Sequence, residues 1–175
     1  FTATDELGMT STVEGKVCVD VLVVRAGDFL KMQVPSIIFR GNNADFKNAE
    51  EVAAGPKADR VNKGLEQSVI DNNIRVLKRI AEILNKFQDY TVTIEGHANN
   101  ISGTEEEETS TANGNIPLEP LSQERAEFVK QKLVEYGVDG NRLTAVGRGG
   151  RQPVVARSDK DNWWKNRRVE FILNK

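Results

Sequence analysis

The sequence predicts an α+β fold: a two-layer sandwich with two long helices on one face of a mixed β-sheet, plus an added N-terminal β-hairpin. Short runs with the period of a strand alternate along the chain with two long runs that have the period of a helix. Right-handed connections place both helices on the same face of the sheet. A chain of 175 residues can bury one such core without disulfides.

Composition and charge argue against several classes of protein. A net charge of -2 provides no basic field for nucleic acid. The longest apolar run is far too short to span a bilayer, so no membrane span is expected in this chain. The lone Cys18 lies among valines and indicates a small strand residue rather than a reactive thiol. Because Phe1 is not an initiator methionine, the chain is expected to be a mature or excised fragment.

Residues 1–33 are predicted to form a linker and the added hairpin. The β-branched run at 16–25 and the apolar run FLKMQV are joined by a short turn containing glycine, which is typical of a hairpin. Residues 34–175 are expected to form the main domain. It begins with a buried strand at 36–39 and continues into a polar loop at 41–67. A loop of that length inside a compact domain is usually functional or mobile.

Two helices are the clearest elements of the main domain. Apolar residues of the first recur at spacings of four and three, on one helical face: Ile70, Ile74, Leu77, Ala81 and Leu84. Ser68 and Asp71 have the spacing of a capping box for this helix. The second helix is predicted to open at Ser122 as its N-cap and to end at Gly137.

The remaining elements are three strands and a short helix. Residues 90–96 alternate apolar and polar side chains, which predicts a half-buried strand between the two long helices. A short strand is predicted at 142–149 and a last strand at 167–175. The polar run at 158–166 predicts a short helix between them.

Four motifs occur in one order along this pattern: TIEGHANN, LSQERAEFVKQKLVEYGV, NRLTAVGRGGRQPV and NRRVEFIL. Together they resemble the OmpA-like C-terminal domain family, a module that anchors envelope proteins to peptidoglycan, over about 34–175. The resemblance implies a non-catalytic periplasmic module, associated with the outer membrane or cell envelope, that tethers a parent protein to the cell wall. It implies a peptidoglycan stem peptide as ligand, an envelope protein as a further partner, and no cofactor or metal.

The family's ligand is the diamino acid of the stem peptide, which presents an ammonium and a carboxylate close together. Arg125 matches the arginine of the family's LSxxRA motif. With Ser122 as N-cap, Arg125 is expected in the first helical turn, where its guanidinium and free backbone N–H groups hold the carboxylate.

Two positions depart from the family's pattern. Asn99 stands where the family has an aspartate, and Leu118 where it has an asparagine. Losing a charge-assisted hydrogen bond weakens binding roughly ten- to hundredfold. These departures motivate the alternative that the domain is degenerate, no longer binds peptidoglycan, and acts as a structural or protein-interaction scaffold.

The resemblance also places other residues at the ligand: His97, Ala98, Asn166, Arg167 and Arg168. His97 is expected to orient the site rather than to catalyse, and no second His or Cys exists to build a zinc site with it. One of the two arginines is expected to line the pocket, or both brace the last strand by ion pairs. Of the neighbouring tryptophans in the sequence NWWKN, one is expected to pack on the core. For the other, core packing is the default, and exposure with stacking on sugar or a partner is the alternative.

A loop of 21 residues separates Asn99 from Leu121, about twice the length common in the family. It contains four consecutive glutamates, at 105–108. Three readings stay open: one glutamate replaces the missing aspartate at the pocket rim, the run binds a hard cation, or it is a solvated face, which is the favoured reading. A wall hydrolase using Glu95 or the glutamate run ranks last, because hydrolysis needs two carboxylates at a defined separation across a cleft.

Overall fold

A computed structural model describes residues 2–4, 10–12, 22–26, 29–57, 59, 63–111 and 116–175. Its strands are β1 (Thr2–Thr4), β2 (Thr10–Thr12), β3 (Leu22–Ala26), β4 (Phe29–Gln33), β5 (Thr91–Gly96), β6 (Leu143–Gly147) and β7 (Val169–Asn174). Its α-helices are α1 (Ala49–Ala54), α2 (Gln67–Lys86), α3 (Glu105–Thr109) and α4 (Leu118–Glu135). Short 3-10 helices cover Gly140–Arg142 and Lys160–Asn166.

The main sheet has five strands in the order β3-β4-β7-β5-β6. β5 and β6 pair in parallel and are joined through α4, whereas the other neighbours are antiparallel. The predicted N-terminal hairpin is present as β3 and β4, and β4 pairs with β7 inside the sheet. The hairpin therefore extends the sheet, and the domain boundary near residue 33 stays a prediction. Cys18 and the first part of the predicted hairpin lie outside the described residues.

One face of the sheet carries the core. Val92 and Ile94 of β5 are buried together with Phe171 of β7, and the apolar faces of α2 and α4 pack on them. The alternation of buried and partly exposed residues along β5 is the period of a half-buried strand. The predicted α+β class, with two long helices on a mixed sheet, is confirmed.

Three local predictions are wrong. No strand forms at 36–39, because Asn73 of α2 bonds both the backbone N–H (3.1 Å) and the carbonyl (2.7 Å) of Ile38. Those are the groups that a sheet ladder would use. α2 begins at Gln67 after Glu66, which makes no side-chain cap, so the predicted capping box at Ser68 is absent.

The start of α4 is the third correction. The helix begins at Leu118, a turn earlier than predicted, and Ser122 lies inside it. The Ser122 hydroxyl donates to the carbonyl of Glu119 and accepts from the N–H of Gly149, both at 2.8 Å. Ser122 therefore ties the helix to the loop after β6 instead of capping it. At the other end, Gly137 has φ 89° and follows the helix as predicted.

Strands β1 and β2 pair with each other as a short antiparallel ribbon. The sequence did not predict this ribbon. Within the described part of the chain, no helix combines the length and apolar character needed to cross a membrane.

Candidate functional site

A cavity of about 770 Å³ opens where β5 ends. Its walls are the segment 36–42, the residues after β5, the acidic insertion, the start of α4 and the chain before β7. The lining residues include Phe39, Ala98, Asn99, Glu107, Arg125, Trp164 and Arg167.

Backbone bonds hold the end of β5 against its neighbours. The N–H of His97 donates to the carbonyl of Arg168 at 2.9 Å, and the N–H of Ala98 donates to that of Gly149 at 2.8 Å. A side chain at Gly96 would clash with the carbonyl of Ser122, so glycine lets α4 approach the strand closely. The cavity floor is therefore fixed by the sheet and by α4.

The segment 36–42 forms the opposite wall and is braced from behind by Arg40, which is 1% exposed. The Arg40 guanidinium bonds the carboxylate of Asp45 at 2.8 Å and that of Asp59 at 2.5 Å. These bonds raise the pKa of Arg40 against the opposing effect of burial, with Asp45 the larger cause. Of the loop at 41–67, Gly41 and Asn42 line the cavity, and Asp45 and Asp59 tie the loop to Arg40.

Arg125 is the central cationic group of the cavity, and it is 6% exposed. Its Nε donates to the carbonyl of Asn43 at 3.1 Å, its Nη2 donates to that of Arg40 at 3.4 Å, and its guanidinium lies 5.2 Å from the ring centroid of Phe39. Among the described residues it pairs with no carboxylate. Burial, and secondarily the charge of Arg167, lower the pKa of Arg125 to about 10.

Arg125 sits two turns inside α4, so the prediction that it lies in the first helical turn is wrong. The free N–H groups of a helix N-terminus are therefore not beside it. A buried charge without a counter-ion is costly, and a bound carboxylate would relieve that cost.

Asn99 is 9% exposed and has a fixed amide orientation. Its Oδ1 accepts from Nδ2 of Asn166 at 2.8 Å, while Oδ1 of Asn166 accepts from the N–H groups of Val154 (2.9 Å) and Val155 (3.0 Å). The Nδ2 of Asn99 is buried and has no hydrogen-bond partner in the described structure.

The glutamate run is a solvated face only in part. Glu105 and Glu106 are exposed, as the favoured prediction expects, whereas Glu107 is partly buried and Glu108 is buried, so the prediction is wrong for those two. Glu108 is 1% exposed and accepts from Asn100 and from the N–H of Gly150. Glu105 pairs with Arg151. Glu107 lines the cavity, and only Glu106 stays exposed without a described side-chain bond.

The structure brings four of the seven predicted site residues to the cavity: Ala98, Asn99, Arg125 and Arg167. The other three, His97, Asn166 and Arg168, lie outside its lining. Asn166 is buried behind Asn99 and positions it. Arg168 bonds the carboxylate of Glu170 at 2.6 Å.

The tryptophans differ from the prediction of core packing. Trp164 is 49% exposed and lines the cavity, whereas Trp163 donates its indole N–H to the carbonyl of Arg157. Neither belongs to the buried core. The apolar rim residues Ile38, Ile101 and Ile116 were also missed as site residues. Their positions depend on loops whose paths have no periodic signal in the sequence.

His97 lies with two carboxylates, its Nε2 3.8 Å from both Glu95 and Glu170. Both ring nitrogens are buried without hydrogen-bond partners among the described residues. Burial, followed by the charge of Arg168, lowers the pKa of His97 to about 4 against the two carboxylates.

These three side chains have the donor types and spacing of a metal site. However, Arg148 pairs with Glu95, and Lys31 and Arg168 pair with Glu170. The three cations neutralise both carboxylates and oppose a further positive charge. The cluster is therefore a charge network on the face of the sheet away from the core.

Fold and cavity together define the class: an α+β domain with an open cavity, lined by a buried arginine, at the end of a central strand. A model of the OmpA family matches residues 66–167. This is more than half of the chain, and the chain belongs to the OmpA family.

Relatives in sequence agree with this family. The peptidoglycan-binding protein ArfA of Mycobacterium tuberculosis is 33% identical over 134 residues, which are 77% of this chain and 37% of ArfA. The peptidoglycan-associated lipoprotein of Rhizobium meliloti is 35% identical over 97 residues, 55% of this chain and 49% of the lipoprotein. The chain thus spans half or less of these relatives' lengths.

The periplasmic domain of Helicobacter pylori MotB superposes with a TM-score of 0.60 at 19% identity, over 99% of this chain and 87% of that domain. At this identity the likeness concerns the fold.

Proposed function

We propose that this chain is a non-catalytic module that tethers its parent protein to the cell wall by holding the diamino acid of a peptidoglycan stem peptide in the cavity. One observation carries the proposal: the buried Arg125 guanidinium lines an open cavity and has no counter-ion among the described residues. A carboxylate is the partner to which such a forked cation donates two hydrogen bonds.

The relatives support the ligand class and the location. Two of the relatives are a peptidoglycan-binding protein and a peptidoglycan-associated lipoprotein, and another is the outer membrane porin F of Pseudomonas aeruginosa. We therefore place the parent protein in the periplasm, at the outer membrane or cell envelope. The exposed Trp164 and the apolar rim fit the less polar parts of a wall fragment.

The test is sedimentation of the purified chain with isolated peptidoglycan sacculi. We expect the wild type to sediment and Arg125→Met to stay in solution. Lys132→Met is the matched control, since Lys132 lies on the same helix, outside the cavity, and pairs with Glu135. Equal sedimentation of both variants would contradict this site, and release of muropeptides would contradict the non-catalytic role.

A second candidate is the degenerate scaffold, which the site at Asn99 favours. The side chain of Asn99 carries no charge, and its oxygen already accepts a hydrogen bond from Asn166. The position therefore offers no charged acceptor to an ammonium. If the wild type fails to sediment and Asn99→Asp restores sedimentation, the wall function was lost at this residue.

A further inference from the structure

The cavity has a positive group at Arg125. Whether Asn99 can serve as the partner of an ammonium depends on the orientation of two amides, those of Asn99 and Asn166. Two backbone N–H donors, from Val154 and Val155, hold the Oδ1 of Asn166. Its Nδ2 must therefore point toward Asn99, which must present its oxygen in return. The amide of Asn99 cannot be flipped without placing two donors face to face.

This orientation leaves Asn99 with a free donor. Its Nδ2 is buried and unpartnered in the described structure, and an N–H group repels an ammonium and suits a carboxylate or carbonyl oxygen. At the position of the family's aspartate, this chain therefore offers the same kind of hydrogen-bonding group as Arg125.

Glu107 is the carboxylate among the described residues that line the cavity. It accepts from the N–H of Ser102 at 2.7 Å, from the Ser102 hydroxyl at 2.6 Å and from the N–H of Ile101 at 3.2 Å. Burial opposes its ionisation, but these bonds and the charge of Arg157 hold the pKa of Glu107 below its usual value.

These bonds also leave Glu107 able to accept one more donor. A carboxylate has about four acceptor positions. The Oε2 of Glu107 receives both bonds from Ser102, whereas its Oε1 receives one, from Ile101. One lone pair of Oε1 is therefore available to a ligand.

We propose that Glu107, delivered by the acidic insertion, is the counter-charge for the ligand's ammonium, and that Asn99 joins Arg125 in holding the carboxylate. This inference rests on the proposed function and deepens it. It reverses the polarity at Asn99 relative to the arrangement that the family resemblance implies. The long insertion then has a binding role: it restores the acid that the strand end lacks.

The experiment compares two small ligands by calorimetry: diaminopimelate, and pimelate, which has the same two carboxylates and no ammonium. We expect Glu107→Gln to weaken diaminopimelate binding about tenfold or more and to leave pimelate binding unchanged. Glu106→Gln is the matched control on the same short helix, where Glu106 is exposed, and neither affinity should change.

The contrary outcomes are distinct. Unchanged diaminopimelate affinity in Glu107→Gln, with loss in Arg125→Met, would overturn this inference and leave the proposed function standing. An equal loss for both ligands would show that Glu107 acts only by holding the loop, and would also overturn it. If the wild type binds neither diaminopimelate nor sacculi, the proposed function and this inference fail together.

Discussion

Two buried arginines of this domain, Arg40 and Arg125, lie next to each other and differ in their ion pairs and in the direction of their pKa shifts. Arg40 is 1% exposed and closes an ion network with two aspartates, whereas Arg125 is 6% exposed and has no carboxylate partner in the described structure. The Nη2 of Arg125 even donates to the backbone carbonyl of Arg40. Their pKa values move in opposite directions: that of Arg40 rises and that of Arg125 falls to about 10.

The difference separates a charge that the chain neutralises itself from a charge that, in the proposed function, a ligand neutralises. Arg40 satisfies its charge within the chain, so it holds the cavity wall in place. Arg125 costs folding free energy at neutral pH, because the folded state disfavours its charged form. A cost of this kind is what a ligand with the opposite charge can recover on binding.

The largest expected effect is on stability, at the closed network. Arg40→Met should lower the free energy of unfolding by about 3 kcal/mol, because it leaves Asp45 without its cation and Asp59 paired with Lys47 alone. Urea unfolding followed by circular dichroism measures it. Arg79→Met is the control, since Arg79 is half-exposed and pairs with Glu82, and it should change stability by less than about 0.5 kcal/mol. A loss no larger than that of the control would refute the architectural role.

The glutamate run offers the same contrast with the sign of charge reversed. Glu108→Gln should cost about 2 kcal/mol, because its amide N–H group would then face the N–H of Gly150 in one orientation and the Nδ2 of Asn100 in the other. Glu106→Gln should be nearly neutral, since Glu106 is exposed. Thermal unfolding of the two variants measures the difference, and equal melting temperatures would argue against a structural role for Glu108.

Arg125→Met should change the free energy of unfolding by no more than about 1 kcal/mol while abolishing ligand binding. The lost hydrogen bonds to Asn43 and Arg40 are offset by removal of a buried, unpaired charge. Unfolding and sacculus sedimentation on the same preparation measure both quantities. A destabilisation as large as that of Arg40→Met would erase the distinction between the two arginines.

The smallest effect at neutral pH concerns His97, a buried base that loses its proton. Its pKa of about 4 reflects burial, together with Arg168 and Lys31, against Glu95 and Glu170. Between about pH 6.5 and pH 4 the unfolded chain therefore binds a proton that the folded chain does not, and stability falls as the pH drops.

Because the chain contains one histidine, its imidazole gives a single proton NMR titration. We expect a midpoint near pH 4. A midpoint at or above 6.5 would mean that the two carboxylates hold His97 as a cation.

The alternation along β5 and the apolar face of α2 were sufficient to predict the sheet, the helices and the α+β class, because periodic burial is written into local sequence. The motifs located Arg125 and Asn99 for the same reason: each lies at a set distance from a regular element. The segment 36–39 was mistaken for a strand because apolar composition does not show that Asn73 takes its backbone bonds.

By itself, the sequence determined the layers, the family and the cation that the site is built around. Only the tertiary structure decided which charges are satisfied. Arg40 and Arg125 have the same chemistry, as do Glu106, Glu107 and Glu108. Long-range contacts joined some of these charges into networks and left others facing a cavity. The residues that make such contacts are far apart along the chain, and no periodic pattern in the sequence predicts which of them meet.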